Sequence, residues 1–256
     1  MDPISLAGLL VLAGVAAYVQ TLTGFAFGLL MMGGIGLSGL MPLTDAAVIV
    51  GMLTLVNAAQ VLAKGWRDVA WPEFRLVIVP SLITLVLGYF ILEFLAGTSL
   101  DWLRLILGVV IIASSIQLSL KPHPLAERSS SGSFVFFGAV AGLMGGLFST
   151  AGPPLVYHLY RQPIRPISVR ETLVTVFAVN AVLRLAVVAG SGNLPHGSTW
   201  WALLAAPVVI ALTYAARRWP PPLSTLVMRR IAFFLLLLSG LSLAIPALLK
   251  LTGVHS

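Results

Sequence analysis

Two short stretches of this sequence bring together residue types that suit an anion. Residues 148–160 read FSTAGPPLVYHLY, with Ser149, Thr150 and Gly152 leading into Pro153 and Pro154. Residues 21–30 read TLTGFAFGLL, with Thr23 and Gly24 at the corresponding place. Proline suits the first turn of a helix, where an N–H would lack a partner in any case. Each stretch therefore ends one helix and starts another, and Ser149 or Thr150 is expected to cap the second. Helix N-termini present unpaired N–H groups and a partial positive charge, a ready anion site. Gly24 and Gly152 would let backbone approach a ligand, or simply let helices pack closely.

A second set of polar residues stands inside apolar runs. Asn57 and Asn180 are followed three and four residues on by Gln60 and Arg184, so each pair shares a helical face. An amide in lipid bonds neighbouring helices or a substrate. A buried arginine is expensive and marks an ion path or a countercharge, although Arg184 is near enough to the end of its run to snorkel outward. His158 is expected near a surface and solvated, and Glu93 and Glu171 are expected to anchor span ends. No phosphate-binding loop, catalytic carboxylate pair, nucleophile triad or metal-ligand cluster is legible. An enzyme, a cofactor and a metal are therefore not expected. The substrate-binding set is Thr23, Gly24, Asn57, Gln60, Ser149, Thr150, Gly152, Asn180 and Arg184.

The elements that position these residues follow from composition. The 256 residues are 59% hydrophobic and 9% charged, with a mean hydropathy of +1.02, whereas soluble domains carry about 25% charged residues. Apolar runs near 46–63, 76–96, 102–120, 171–189, 200–216 and 231–249 have the length of membrane spans. A polytopic helical membrane protein is the reading, not a barrel, which would show short alternating strands. The net charge of +7 reflects basic loops between spans, so nucleic acid is excluded as a partner. Cysteine is absent, removing disulfides and thiol chemistry. Asp2 stands where a secretion signal needs basic residues, so no cleaved leader is expected. Trp66, Trp71, Trp102, Trp200 and Trp201 suit an interfacial belt.

Lys64, Arg67 and Arg75 mark one basic interval, and Lys121 and Arg128 a second. Arg161, Arg165 and Arg170 mark a third, and Arg217, Arg218, Arg229 and Arg230 a fourth. Intervals 97–100 and 190–198 have no lysine or arginine. Placing the basic intervals in the cytoplasm requires residues 133–160 to enter and leave on one side, as two short helices forming a re-entrant hairpin. The rival is one proline-kinked span. The first half repeats the plan. PLTDAAVIVGMLTLVNAAQ (42–60) matches PISVRETLVTVFAVNAVLR (166–184), Pro80 matches Pro207, and RLILGVVIIASS (104–115) matches RIAFFLLLLSGL (230–241). The expected fold is all-α: two inverted repeats, each a broken hairpin plus three transmembrane helices. The boundaries are residues 1–121, a cytoplasmic linker at 122–131, and residues 132–256. Inverted halves are a common plan of secondary transporters, with the site near the midplane where broken helices meet.

GFAFGLL and GGLFSTAGPPLVYHLY, with asparagine in the following span of each half, resemble the TauE/SafE family of sulfite and sulfonate exporters. The resemblance covers nearly the whole chain. Phe25-Ala26-Phe27 and Ser149-Thr150-Ala151 stand where typical members carry more glycine. It implies a multi-pass protein of a bacterial inner membrane that exports sulfite, an organosulfonate or a similar small anion, and the inverted halves suggest that access alternates. The expected partners are that anion and the bilayer, with a homodimer left open. The alternatives are an anion channel, an uptake permease for another carboxylate or oxyanion, and a membrane-embedded enzyme or assembly factor.

Overall fold

The computed structural model describes residues 3–119, 125–150, 152–195, 199–219 and 225–252. Lys121 and Ala151 lie outside the described residues, as do the limits placed at 121 and 122. The described residues form ten α-helices and one 3₁₀ turn. They run α1 (Pro3–Thr23), α2 (Phe27–Ser38), α3 (Leu43–Gly65), the 3₁₀ turn (Trp66–Asp68), α4 (Trp71–Thr98) and α5 (Leu100–Ser119). The second half runs α6 (Ser131–Phe148), α7 (Pro153–Tyr160), α8 (Pro166–Gly190), α9 (Thr199–Arg218) and α10 (Thr225–Leu251). The chain is a polytopic membrane protein: α1, α3 with its 3₁₀ turn, α4, α6, α8 and α9 are each long and apolar enough to cross a bilayer.

Residues 125–162 enter and leave at one end. Leu125 N donates to the Arg161 carbonyl at 2.7 Å, and Gln162 Nε2 donates to Ser129 Oγ at 3.0 Å. Between these ties α6 goes out and α7 returns. The hairpin therefore replaces a single kinked span. Its legs are unequal, however, because the break falls late in the apolar run. The outgoing α6 has 18 residues and the returning α7 has 8; α1 and α2 have 21 and 12. The expectation of two short helices is corrected for the outgoing leg of each.

Ion pairs and hydrogen bonds gather the basic intervals at one end of the bundle. Arg128 pairs with Glu73 at 2.8 Å and Arg165 with Asp68 at 2.9 Å. Arg217 Nη1 donates to the Gln60 and Val61 carbonyls at 2.8 and 2.9 Å, and Ala70 N donates to Thr172 Oγ1 at 2.9 Å. At the opposite end Asn193 Nδ2 donates to Tyr89 Oη at 3.1 Å and to Glu93 Oε2 at 3.3 Å.

Packing follows a recurrent pattern. Helix α1 packs on α9 and α6 on α4; α3 packs on α9 and α8 on α4; α2 packs on α10 and α7 on α5. At the centre α3 meets α8, with Gly51 against Leu185 and Gly65 against Glu171. That antiparallel register puts Asn57 and Asn180 at the same level. Lipid offers no hydrophobic force between helices, so close packing depends on small residues. Gly138, Gly142 and Gly146 repeat every fourth residue on α6 and lie against the α4 backbone. A Cβ at Gly146 would stand 2.7 Å from Tyr89 N, and one at Gly142 would overlap the Ser81 carbonyl oxygen.

Gly142→Leu should therefore lower the thermal unfolding midpoint in detergent, with a cost of at least the ~1–3 kcal/mol typical of overpacking. Gly132→Ala, where a Cβ has nothing within 4 Å, should leave the midpoint unchanged.

Candidate functional site

The first break runs from Thr23 to Ala26. Gly24 has φ +82° and Ala26 φ +89°, both left-handed, and Ala26 is the N-cap of α2. Alanine supplies no cap, so the buried side chain of Gln20 takes that role from the preceding helix. Its Oε1 accepts from Phe27 N at 2.9 Å, and its Nε2 donates to Asn57 Oδ1 at 3.3 Å. Thr23 Oγ1 turns back to the Val19 and Phe25 carbonyls at 2.8 and 2.7 Å. Tyr160 Oη donates to the Thr23 carbonyl at 2.9 Å. Gly24 serves close approach: a Cβ there would lie 2.7 Å from Arg170 Cγ, besides the strain of its positive φ.

The second break differs from the sequence expectation at its caps. Ser149 ends α6 in the left-handed region (φ +53°), and its hydroxyl bonds the Ala47 carbonyl of α3. Gly152, φ +66°, is the N-cap of α7, with no side-chain cap bond. Neither Ser149 nor Thr150 caps α7, because two left-handed residues turn the chain before the helix begins. Pro153 and Pro154 also remove two of the N–H groups that an anion would use at that terminus. The breaks touch one another: a Cβ at Gly28 would stand 2.8 Å from Thr150 Cβ and 2.9 Å from the Ser149 carbonyl oxygen.

Beside the second break is a narrow cavity lined by Gly145, Ser149, Phe177, Asn180, Ala181 and Arg184. Arg184 is only 1% exposed. Its Nε donates to the Gly146 carbonyl at 3.1 Å, and its Nη1 has no partner. No carboxylate pairs with it among the described residues. Snorkelling is thus excluded: the side chain points inward, against α6 where glycine leaves the backbone open. Asn180 exchanges hydrogen bonds with Ser81 of α4, donating from Nδ2 at 2.8 Å. The cavity measures ≈ 10 Å³, about the space one water needs. An oxyanion enters only if the walls move apart.

Of the predicted residues, Ser149, Asn180 and Arg184 are brought together here. Thr150 lies where the breaks touch, and Thr23, Gly24 and Gly152 shape the breaks. Asn57 and Gln60 stand apart from the cavity. The Asn57 amide donates to Thr21 Oγ1 at 3.1 Å and Thr213 Oγ1 at 2.8 Å, which uses both its hydrogens in helix bonding. The buried Gln60 Nε2 has no partner. Gln20, Ser81, Thr213 and Phe177 were not anticipated; a glutamine in the apolar run of α1 was the one signal available. His158 is also corrected. It is buried, stacked on Phe137 at 4.4 Å and edge-on to Phe134 at 4.8 Å, because the return leg folds it against α6. Glu171 is fully buried and pairs with Arg170 at 2.7 Å, so it anchors no interface. Among the described residues no group of three or more metal-ligating side chains forms.

The profile described as sulfite exporter TauE/SafE matches residues 9–243, from α1 into α10. The chain belongs to the TauE/SafE family. It is a transporter, not an enzyme, and the family match takes in both breaks and every residue lining the cavity. It is 38% identical over 243 residues to the probable sulfite/organosulfonate exporter TauE of Cupriavidus necator, covering 95% of each chain. No solved structure matches.

Within this TauE/SafE chain, Gln20 is the support of the first break. Gln20→Leu removes the acceptor for Phe27 N and the donor to Asn57, so thermal stability should fall by about 1–3 kcal/mol. Equal midpoints for wild type and Gln20→Leu would remove this role.

Proposed function

We propose that the chain is a secondary transporter that exports small sulfur oxyanions or organosulfonates, holding the anion at Arg184. The observation that carries this is an arginine buried within the bundle with an unbonded Nη1 and no carboxylate at ion-pair distance among the described residues, Glu93 acting on it only from further away. A cation taken out of water without a counter-ion is strongly unfavourable unless something supplies the missing charge. An anion does so. Asn180 stands beside it with one amide hydrogen not used by Ser81, and Ser149 donates as well once its hydroxyl leaves the Ala47 carbonyl, which suits the three acceptor oxygens of a singly charged sulfonate. The relative's name supplies sulfur as the substrate class.

The narrow cavity is read as a closed state. By the charge rule the basic end is assigned to the cytoplasmic side, and a bacterial inner membrane is the location that goes with this reading. The first hairpin then enters from outside and the second from the cytoplasm, so the halves are inverted copies. Exchange of their two packing arrangements gives alternating access.

Sulfite counterflow into proteoliposomes tests the site. Arg184→Gln should reduce the rate about tenfold or more at subsaturating sulfite, the scale of one charge-assisted hydrogen bond. Arg184→Met should lose transport as well, yet hold or raise the thermal midpoint, because it removes an unpaired buried charge. Undiminished counterflow in both variants defeats this site. A large fall in stability for Arg184→Met would make the arginine structural instead.

A further inference from the structure

Arg170, Phe177 and Arg184 repeat every seventh residue on α8. Such steps return to nearly the same face of a helix, drifting only ~20° each. The neighbouring set, Glu171, Ala178 and Leu185, faces α3: Glu171 lies against Gly65, Ala178 packs with Ala58 and Val61, and Leu185 lies against Gly51. The arginine face turns instead to the hairpins. Arg170 presses on Gly24 at the first break, and Phe177 and Arg184 line the cavity with Ser149 of the second. At ~1.5 Å per residue the two arginines are about 21 Å apart along the axis.

Arg170 belongs to the basic end, and its side chain is 29% exposed, within reach of solutes. Its Nε and Nη2 both donate to one oxygen of Glu171, Oε1, at 3.2 and 2.7 Å. The other oxygen, Oε2, is buried without a partner. A guanidinium holds a carboxylate best when two parallel bonds reach both oxygens. Here the internal carboxylate fills the fork incompletely.

We propose that Arg170 is a second anion station at the basic end, with Glu171 as the internal group that occupies it when no anion is bound. A small oxyanion displaces Glu171 from the Arg170 fork, then passes along this face of α8 to Arg184. Phe177 lies midway as the apolar barrier that prevents a continuous wet path. Among the other ionisable groups on elements packed against this end of α8, His158 stacks on Phe137 and Arg161 lies over Tyr157, each with one buried nitrogen unpartnered. Asp68 pairs with Arg165, Glu73 pairs with Arg128, Tyr160 bonds Thr23, and Lys64 and Arg67 lie at the surface. This proposal rests on the exporter reading and adds an order of events to it.

A purely structural ion pair predicts that losing either partner has effects of the same sign. A station with an internal competitor predicts opposite signs. Sulfite counterflow is measured in inside-out vesicles, which expose the basic end, and in right-side-out vesicles. Glu171→Gln should lower the half-saturating concentration at the basic face about threefold or more, and Arg170→Gln should raise it about tenfold or more. The opposite face should change by less than about twofold on the same scale. Should Glu171→Gln fail to accumulate in the membrane, Glu171→Asp shortens the arm and must shift the same face in the same direction. Shifts of the same sign for the two partners, equal shifts at both faces, or no shift would overturn the station and leave the Arg184 site standing. Wild-type vesicles without saturable sulfite counterflow would defeat the exporter reading itself, and the station with it.

Discussion

Backbone that leaves the helix inside a bilayer must find its hydrogen-bond partners within the protein. That constraint organises this molecule. Two breaks, at residues 24–26 and 149–152, sit deep in the bundle. Each is enclosed by a helix of the opposite half: Gly24 against Arg170 of α8, and Ser149 bonded to the Ala47 carbonyl of α3. The long outgoing legs α1 and α6 deliver the breaks to that depth. They can do so because they press closely on α9 and α4, through glycines in the case of α6. The packing is thus a consequence of the need to enclose exposed backbone.

The halves meet this requirement differently. At the first break a closed polar network takes up what the backbone and side chains offer, with Gln20, Asn57, Thr21 and Thr213 bonded together. At the second break glycine stands at position 145, level with Asn180 as Gln20 is level with Asn57, and no side chain fills that space. The vacated space is the cavity, and Arg184 projects beside it. The first break is therefore closed by neighbouring amides and hydroxyls, while the cavity beside the second keeps the unbonded Nη1 of Arg184. A broken hairpin thus carries a closed polar network in one half and a small cavity beside a buried arginine in the other.

Much of this was legible in the residues. Charge placement identified the basic end, because loops between apolar runs are short and their charges have few places to go. The Pro-Pro and Gly signals located both breaks, since those residues act on local backbone. Side-chain destinations were harder to read. Asn57 and Asn180 occupy equivalent positions, but whether an amide bonds a helix or lines a cavity depends on the residue opposite. That residue is Gln20 in one half and Gly145 in the other, far away in sequence. His158 and Glu171 were placed at surfaces for the same reason. Their burial depends on how far the return leg folds back and on Gly65 leaving room for a carboxylate.

Helix α8 shows how one helix can serve stability and chemistry together. Its α3-facing register must be tight, because the antiparallel contact fixes both asparagines at one level. The next register, one residue away, faces the breaks and carries both arginines. A helix turns about 100° per residue, so the two faces are adjacent and cannot be moved independently. Any rearrangement that opens the cavity at Arg184 must therefore rotate or slide α8 against α3, or withdraw the hairpin tips from it. The second route breaks fewer of the contacts made by α8 itself. The tips join α8 through Gly24 at one break and the small cavity at the other, whereas α3 and α8 pack along most of their length. The tips are thus held to α8 less extensively than α3 is, while α6 itself is held against α4 along its glycine face.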